Sequence, residues 1–92
     1  MTELNTNKRQ VFISYAVKSW IKRGTAFDDS GNHEEALQAY EKALTLNPDD
    51  SDAWYNKGKT LDKLSRHEEA LQAYDKALEL NPDNFDTWFN EG

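Results

Sequence analysis

Two short clusters that combine histidine with carboxylates are the first candidates for chemistry in this sequence. His33 and His67 are each followed directly by two glutamates. Imidazole and carboxylate groups can hold a metal ion when several of them converge on one point at the correct distances. These two clusters belong to a repeated stretch, so the fold should separate them by one whole repeat. Acidic residues are also favoured in the first turn of any helix, where they face the positive end of its dipole. The sequence therefore predicts no metal site.

Catalytic and cofactor-binding patterns are equally weak. The chain has no cysteine, which excludes disulfides, thiolate metal ligands and cysteine nucleophiles. No serine–histidine–aspartate arrangement, glycine-rich phosphate loop or paired-carboxylate cleft can be argued, because every polar cluster recurs with the repeat. We expect a protein that is not an enzyme and that needs no cofactor.

The composition limits the classes of partner. The chain has 92 residues, a net charge of −6 and 30% charged residues. An acidic chain is poorly suited to nucleic acid, because affinity for phosphates depends on lysine and arginine. No segment approaches the roughly 20 apolar residues of a membrane span, and the apolar run VFISYAV is too short for a signal peptide. We expect a soluble cytoplasmic protein that binds neither nucleic acid nor membranes.

The sequence repeats itself with a period of 34 residues. The stretch HEEALQAYEKALTLNPD begins at His33, and HEEALQAYDKALELNPD begins at His67. Segments 17–50 and 51–84 align without a gap, and 18 of their 34 positions are identical. A fixed period of this length is typical of repeat architectures, in which each unit packs on its neighbours.

Each unit has the pattern of two helices. Trp54, Gly58 and Leu61 recur at i, i+4 and i+7 on one helical face, and a second stretch repeats this spacing with alanine and tyrosine. NPD follows at 47–49 and at 81–83, where proline cannot continue a helix. The sequence predicts an all-α fold of tandem helical hairpins, with four full helices of roughly 14 residues and a partial fifth.

The turns and caps follow from single residues. Gly31 can take the left-handed conformation that ends a helix, and Asn32 can then cap the next one. The second copy has Ser65 and Arg66 at these places, so we expect its turn to be less well specified. Asp50 is placed to cap the first helix of the second unit.

Small residues should let the two helices of a hairpin approach closely. Gly24 and Gly58 recur on the first helices, with alanines on the second, and aromatic side chains should fill the space around them. We expect Trp54 to be buried between the two hairpins.

The positions of these residues resemble the tetratricopeptide repeat family. In each unit the fourth residue is tryptophan, the eighth glycine, the eleventh apolar, the twentieth alanine, the twenty-fourth tyrosine, the twenty-seventh alanine and the thirty-second proline. The matching residues are Trp20, Gly24, Phe27, Ala36, Tyr40, Ala43 and Pro48, then Trp54, Gly58, Leu61, Ala70, Tyr74, Ala77 and Pro82. The seventh position, often leucine in the family, departs from the pattern because it is Arg23, Lys57 and Glu91 here.

The resemblance implies a division of the chain. Residues 17–50 and 51–84 are two full repeats, and 85–92 is the truncated start of a third. Residues 1–16 form an N-terminal extension, for which two interpretations remain. Ile13 and Val17 continue an apolar stripe that extends the first helix backwards, whereas KRQVFISYA faintly resembles the opening strand of Toll/interleukin-receptor-type domains. We favour the helix.

The resemblance also implies where a partner binds. In that family the first helices line a concave groove, chiefly through positions two, five, nine, twelve and thirteen. An apolar or aromatic residue recurs at position five as Ile21, Tyr55 and Phe89, a ladder suited to anchoring a peptide. With Asn56, which matches one residue of the family's chaperone-tail clamp, the groove candidates are Lys18, Ile21, Thr25, Asp28, Asp29, Asp52, Tyr55, Asn56, Lys59, Asp62, Lys63, Asp86 and Phe89.

Two functions follow as hypotheses. The first is a non-catalytic scaffold that binds a protein or peptide in this groove. The clamp for chaperone tails is incomplete, because Ile21 and Thr25 stand where it needs lysine and asparagine. The alternative is a self-assembly module whose open repeat ends form a weak homo-oligomer. In that hypothesis the apolar residues near both ends of the chain, Val11, Phe12, Tyr15, Trp88 and Phe89, become buried between copies.

Overall fold

Four consecutive α-helices form the computed structural model, which describes residues 2–82. They are α1 (Thr2–Asp29), α2 (His33–Leu46), α3 (Ser51–Lys63) and α4 (His67–Leu80). The described residues contain no strand, and the all-α class is confirmed. The expected partial fifth helix falls on 85–92, outside the described residues.

The first helix is twice as long as the second. α1 has 28 residues and α2 has 14, which correspond to lengths of about 42 and 21 Å. Residues 11–15 lie within α1, so the strand suggested by the Toll-like resemblance is not observed. No helix in the described part of the chain combines the length and the apolar character needed to cross a membrane.

Each hairpin closes through a tyrosine ring packed on a glycine. α1 packs on α2, α3 packs on α4, and α3 also packs on α2. A Cβ atom added at Gly24 would lie 2.5 Å from Cε1 of Tyr40, and one added at Gly58 would lie 2.8 Å from Cδ1 of Tyr74. Both approaches are shorter than real Cβ contacts, so any side chain in place of glycine would force the tyrosine ring to shift.

Two core clusters stack along the array. The first core cluster joins the first hairpin to α3 and contains Val17, Ala43, Leu44 and Ala53. The second core cluster joins α2 to the second hairpin and contains Leu37, Leu61, Ala70 and Ala73. Trp54 packs against both clusters. It lies between the two hairpins as expected, but it is only half-buried, and its indole N–H donates to the Pro48 carbonyl over 2.7 Å.

The two hairpin turns have the same backbone geometry although their residues differ. In the first, the Gly31 N–H donates to the Asp28 carbonyl and the Asn32 N–H donates to the Phe27 carbonyl, over 3.0 and 2.8 Å. The second turn repeats this pair of bonds with Ser65 at the left-handed position, where its φ is +62°. The closing hydrogen bonds come from the backbone and are the same in both turns, so the weaker specification expected for the second turn stays a prediction about the cost of serine at its left-handed position.

The helix caps agree with the sequence at one site and not at another. The Asp50 side chain accepts a hydrogen bond from the Ala53 N–H over 3.0 Å, as expected for the cap of α3. Asn32 precedes α2, but its side chain makes no capping hydrogen bond. The expected asparagine cap was wrong: the preceding turn fixes Asn32 at φ −89° and ψ 68°, outside the extended conformation usual for a capping residue.

The cations at the seventh position lie over the tryptophans at the fourth. The Arg23 guanidinium is 4.5 Å from the centroid of the Trp20 ring, and the Lys57 ammonium is 5.0 Å from that of Trp54. Such contacts stabilise an exposed site by roughly 0.5–1 kcal/mol. They explain how a charged residue is accommodated where the family often has leucine.

Candidate functional site

Some groove candidates have side chains that are already engaged in intramolecular bonds. Others have side-chain groups that remain exposed at the surface. α1 and α3 contact each other directly, so equivalent positions of the two repeats lie on adjacent helices. Asp86 and Phe89 are outside the described residues. The remaining candidates are distributed over α1 and α3.

Asp28 is a buried anion between the two hairpins. Its side chain is 8% exposed, its Oδ2 accepts from Lys63 Nζ over 2.8 Å, and its Oδ1 lies 2.5 Å from His33 Nδ1. Burial acts to raise the pKa of Asp28, but the hydrogen bonds and charges of Lys63 and His33 outweigh it and lower the pKa. The carboxylate therefore holds α1, α2 and α3 together and is poorly placed to meet a partner.

Asp62 occupies the equivalent position in the second repeat but is exposed. Its Oδ1 lies 2.9 Å from His67 Nδ1, and its Oδ2 accepts a hydrogen bond from the Tyr74 hydroxyl over 3.1 Å. The aspartate–histidine contact is thus a feature of both hairpins. It explains the recurring histidines as structural residues that tie the end of a first helix to the start of a second.

The aromatic and aliphatic ladder has two described members in different surroundings. Ile21 is half-buried and packs against the first core cluster. Tyr55 is also half-buried, and its ring is 5.8 Å from that of Tyr74 at an interplanar angle of 48°. Lys59 Nζ lies 5.5 Å from the centroid of the Tyr55 ring. Both anchors keep part of their surface exposed while the core fixes their positions.

Thr25 and Asn56 each use a side-chain donor within their own helix. The Thr25 hydroxyl donates to the Ile21 carbonyl over 3.0 Å, and it is 3.4 Å from the Tyr40 hydroxyl. Asn56 Nδ2 donates to the Asp52 carbonyl over 2.9 Å. The Asn56 carbonyl oxygen and the second amide proton are the groups that it could offer to a ligand.

Charges of both signs border the two anchors. Lys18, Asp29 and Asp52 are exposed, and Lys59 is half-buried. Lys63 is exposed as well, but its ammonium group is paired with Asp28. The face of α1 and α3 is therefore amphipathic and mixed in charge.

A pattern in the sequence predicts the aspartate–histidine contacts, although both aspartates were assigned to the groove. Aspartate stands five residues before histidine in both repeats, at 28 and 33 and again at 62 and 67. A pair that spans the end of one helix and the start of the next can contact across the turn. Lys63 gave no such local signal, because it is 35 residues from Asp28 and meets it only when the hairpins stack.

Residues of the kinds that ligate metal ions are not clustered in the part of the chain that the structure describes. No three histidine or carboxylate side chains there are grouped so as to hold a metal ion. The two histidines each face an aspartate within their own hairpin.

Comparisons with known proteins agree with the hairpin architecture. A family model described as tetratricopeptide repeat matches residues 21–85. The chain is similar to a solved point mutant of MamA, with 31% identity and a TM-score of 0.69 over 71% of this chain and 47% of that one. It is similar to a crystal structure of MamA, with 26% identity and a TM-score of 0.70 over 79% and 43% of the two chains. The match thus spans less than half the length of these structures. A comparison with curated proteins finds no match.

Proposed function

Because the chain belongs to the tetratricopeptide repeat family, whose helical hairpins are non-catalytic interaction modules, we propose that it is a scaffold that binds a peptide or partner segment along the face of α1 and α3. One observation carries this proposal. Ile21 and Tyr55, at the same position of adjacent first helices, are both half-buried and backed by packed side chains.

Half-buried anchors of this kind suit recognition. Their conformations are fixed before binding, so ordering them costs little. They also retain apolar surface that a partner can cover. Residues that dominate binding are typically large side chains near the centre of a contact, surrounded by polar groups that exclude water.

The charges beside the anchors indicate the chemistry of the partner. Lys18 and Lys59 supply positive charge to this face, whereas Asp29 and Asp52 supply negative charge. Asp28 offers none, because Lys63 already neutralises it in the interior. We propose a partner segment with one or two apolar side chains flanked by charges of both signs, and not a strongly acidic or basic tail.

Selection from a displayed random-peptide library, with the intact chain as the target, tests this proposal. The affinity of a selected peptide would then be measured against the triple variant Lys18→Ala/Tyr55→Ala/Lys59→Ala. We expect a loss of at least about tenfold, because truncating central contacts commonly removes more than 1 kcal/mol.

The matched control is Gln38→Ala/Gln72→Ala. These glutamines are exposed at equivalent positions of α2 and α4, away from the anchors. The control should bind the selected peptides like the parent, and thermal melts should show that both variants are folded. Equal losses in the two variants, or none in the triple variant, would contradict the proposed site.

A second candidate function is self-assembly, and a specific observation favours it. Val11, Phe12 and Tyr15 are 69%, 73% and 76% exposed on α1. Three large apolar side chains in so short a stretch are characteristic of a surface that becomes covered by a partner. The residues near the other end that were expected to take part, Trp88 and Phe89, are outside the described residues.

The proposal includes neither catalysis nor a cofactor. It assigns the recurring histidines to the hairpin turns and the carboxylates to ion pairs and caps. The exclusion of nucleic acid and membrane partners and a cytoplasmic location stay predictions from the composition of the sequence. Imaging of a fluorescent fusion in the source cells would check the location.

A further inference from the structure

Two leucines at equivalent positions of the two hairpins differ widely in exposure. Leu37 of α2 is 6% exposed, because Leu61, Ala70 and Ala73 of the second hairpin pack around it. Leu71, at the same position of α4, is 61% exposed. Leu71 therefore marks the place on α4 where a further hairpin of this kind would pack.

The first helices show the complementary difference. Ala53 of α3 is fully buried against Ala43 and Leu44 of α2, and Thr60, two turns further along the same face, is also fully buried. Their equivalents on α1 are Ser19 and Ala26, and both are exposed. α3 uses a face of small residues to pack on α2. α1 has the equivalent face, but there it is exposed.

The apolar residues of α1 lie beside this face. Phe12, Ser19 and Ala26 follow each other at intervals of seven residues, so they lie along one side of the helix. We define the open face of α1 as Val11, Phe12, Tyr15, Ser19 and Ala26, all of which are exposed.

The two helices that carry the uncovered surfaces have net charges of opposite sign. α1 contains five basic and three acidic side chains, and one of the acidic ones, Asp28, is buried and paired with Lys63. α4 contains four acidic side chains and one basic side chain. Contact between a basic surface and an acidic surface favours association and sets its orientation.

We propose that the open face of α1 in one copy of this chain packs on α4 around Leu71 in a second copy. The inference rests on the second candidate function and specifies its geometry. The contact repeats between copies the step by which α3 packs on α2 within one chain. Because it joins two unlike surfaces, it is heterologous, and each dimer retains one free surface of each kind.

The size of the surfaces predicts a weak association. Phe12 and Tyr15 can each bury on the order of 150 Å², or about 300 Å² together, which is well below the roughly 800 Å² per partner of a standard stable interface. Screening of the charges by salt should weaken it further. We expect self-association at high protein concentration that decreases as the salt concentration rises.

Sedimentation equilibrium across a concentration series tests the geometry with two complementary variants. Phe12→Ser/Tyr15→Ser alters only the open face of α1, and Leu71→Ser alters only α4. Each variant alone should remain monomeric, because one of the two surfaces is missing. An equimolar mixture should form dimers and nothing larger, because one intact surface of each kind remains.

Controls separate this inference from simpler causes. Leu46→Ser alters an apolar side chain that is 41% exposed and belongs to neither surface, and it should associate like the parent. The charge variant Glu68→Lys should weaken association without affecting folding, as monitored by circular dichroism.

The possible outcomes each decide a different point. If Leu71→Ser associates like the parent while the α1 variant does not, the α1–α4 geometry is wrong and self-assembly itself survives. If the parent chain is monomeric at millimolar concentration, both the geometry and the second candidate function are wrong. Neither outcome affects the peptide-binding proposal, which depends on Ile21 and Tyr55.

Discussion

Tyr40 and Tyr74 occupy the same place in α2 and α4, which differ at only two of 14 positions, yet their environments differ. Tyr40 is 1% exposed because α3 packs over it, whereas Tyr74 is only half-buried. The pKa of Tyr40 is raised chiefly by this burial. The same helix-forming pattern therefore produces a core residue in one hairpin and a surface residue in the other, according to what packs beside it.

The two turns show the opposite relation between sequence and structure. Gly31 and Ser65 differ, but both take the left-handed conformation, with φ values of +84° and +62°. The surrounding hairpin imposes this conformation on serine, which adopts it less readily than glycine does. Burial thus depends on neighbours in space, while the backbone path depends on the hairpin itself.

The largest expected effect concerns the equivalent leucines. Leu37→Ala should lower the free energy of unfolding by about 2–4 kcal/mol, because it leaves a cavity in the second core cluster. Leu71→Ala should cost less than about 0.5 kcal/mol, because the side chain is already largely exposed. Urea denaturation of both variants measures the difference, and equal losses would contradict the described packing.

Alanine substitutions at the glycines beneath the two tyrosines should differ less in their effect on the free energy of unfolding. Gly24→Ala should destabilise by about 2–3 kcal/mol, because the enclosed Tyr40 ring cannot move away from the new methyl group. Gly58→Ala should cost about 1 kcal/mol less, since the half-buried Tyr74 ring has room to shift. Thermal melts would test this order, and a greater loss at Gly58 would reverse it.

The buried carboxylate of Asp28 predicts a dependence of the free energy of unfolding on pH. Because its folded-state pKa is lowered, Asp28 stabilises the fold fully above the ordinary carboxyl pKa of 3.8, and this stabilisation is lost as the pH falls through the lower folded-state pKa. At neutral pH, Asp28→Asn should cost about 1–2 kcal/mol, because it removes the charge that Lys63 and His33 face.

The matched variant for this prediction is Asp62→Asn, which should cost less than about 0.5 kcal/mol because its contacts are exposed. Urea denaturation between pH 2.5 and 7 compares the two. The Asp28→Asn variant should lose less stability than the parent on acidification. Parallel pH profiles for the parent and this variant would show that Asp28 does not act as a buried ion-pair partner.

The smallest expected effect is at the turns. Ser65→Gly should stabilise the chain by up to about 1 kcal/mol, because glycine adopts positive φ without a steric penalty. The reciprocal change Gly31→Ser should destabilise by a similar amount. Calorimetric melting temperatures would move in opposite directions, and a lower melting temperature for Ser65→Gly would contradict the strain assigned to that residue.

The helices and the turns could be predicted from the sequence because their causes are local. The spacing of Trp54, Gly58 and Leu61 indicates a helical face, and NPD at 47–49 ends a helix. The repeat also predicted a close approach of the two helices at the recurring glycines, but it did not predict that a tyrosine ring would lie on each glycine. The Asp50 cap depends on bonds within three residues.

The role of Asp28 could not be predicted in the same way. Helical spacing places it on the groove face together with Thr25 and Asp29, and only the stacking of the second hairpin brings Lys63 to it. The partial exposure of Trp54 has the same origin, since it depends on the angle at which two hairpins meet. Long-range packing thus makes Asp28 a poor candidate for binding and leaves Ile21 and Tyr55 as the described anchors of the proposed binding face.

Nuclear magnetic resonance mapping of a selected peptide onto the isotopically labelled chain tests the central proposal most directly. If the face of α1 and α3 is the binding surface, the largest amide shift changes will fall on and around Lys18, Ile21, Thr25, Tyr55 and Lys59. Changes confined to the outer faces of α2 and α4, around Gln38 and Gln72, would contradict the proposal.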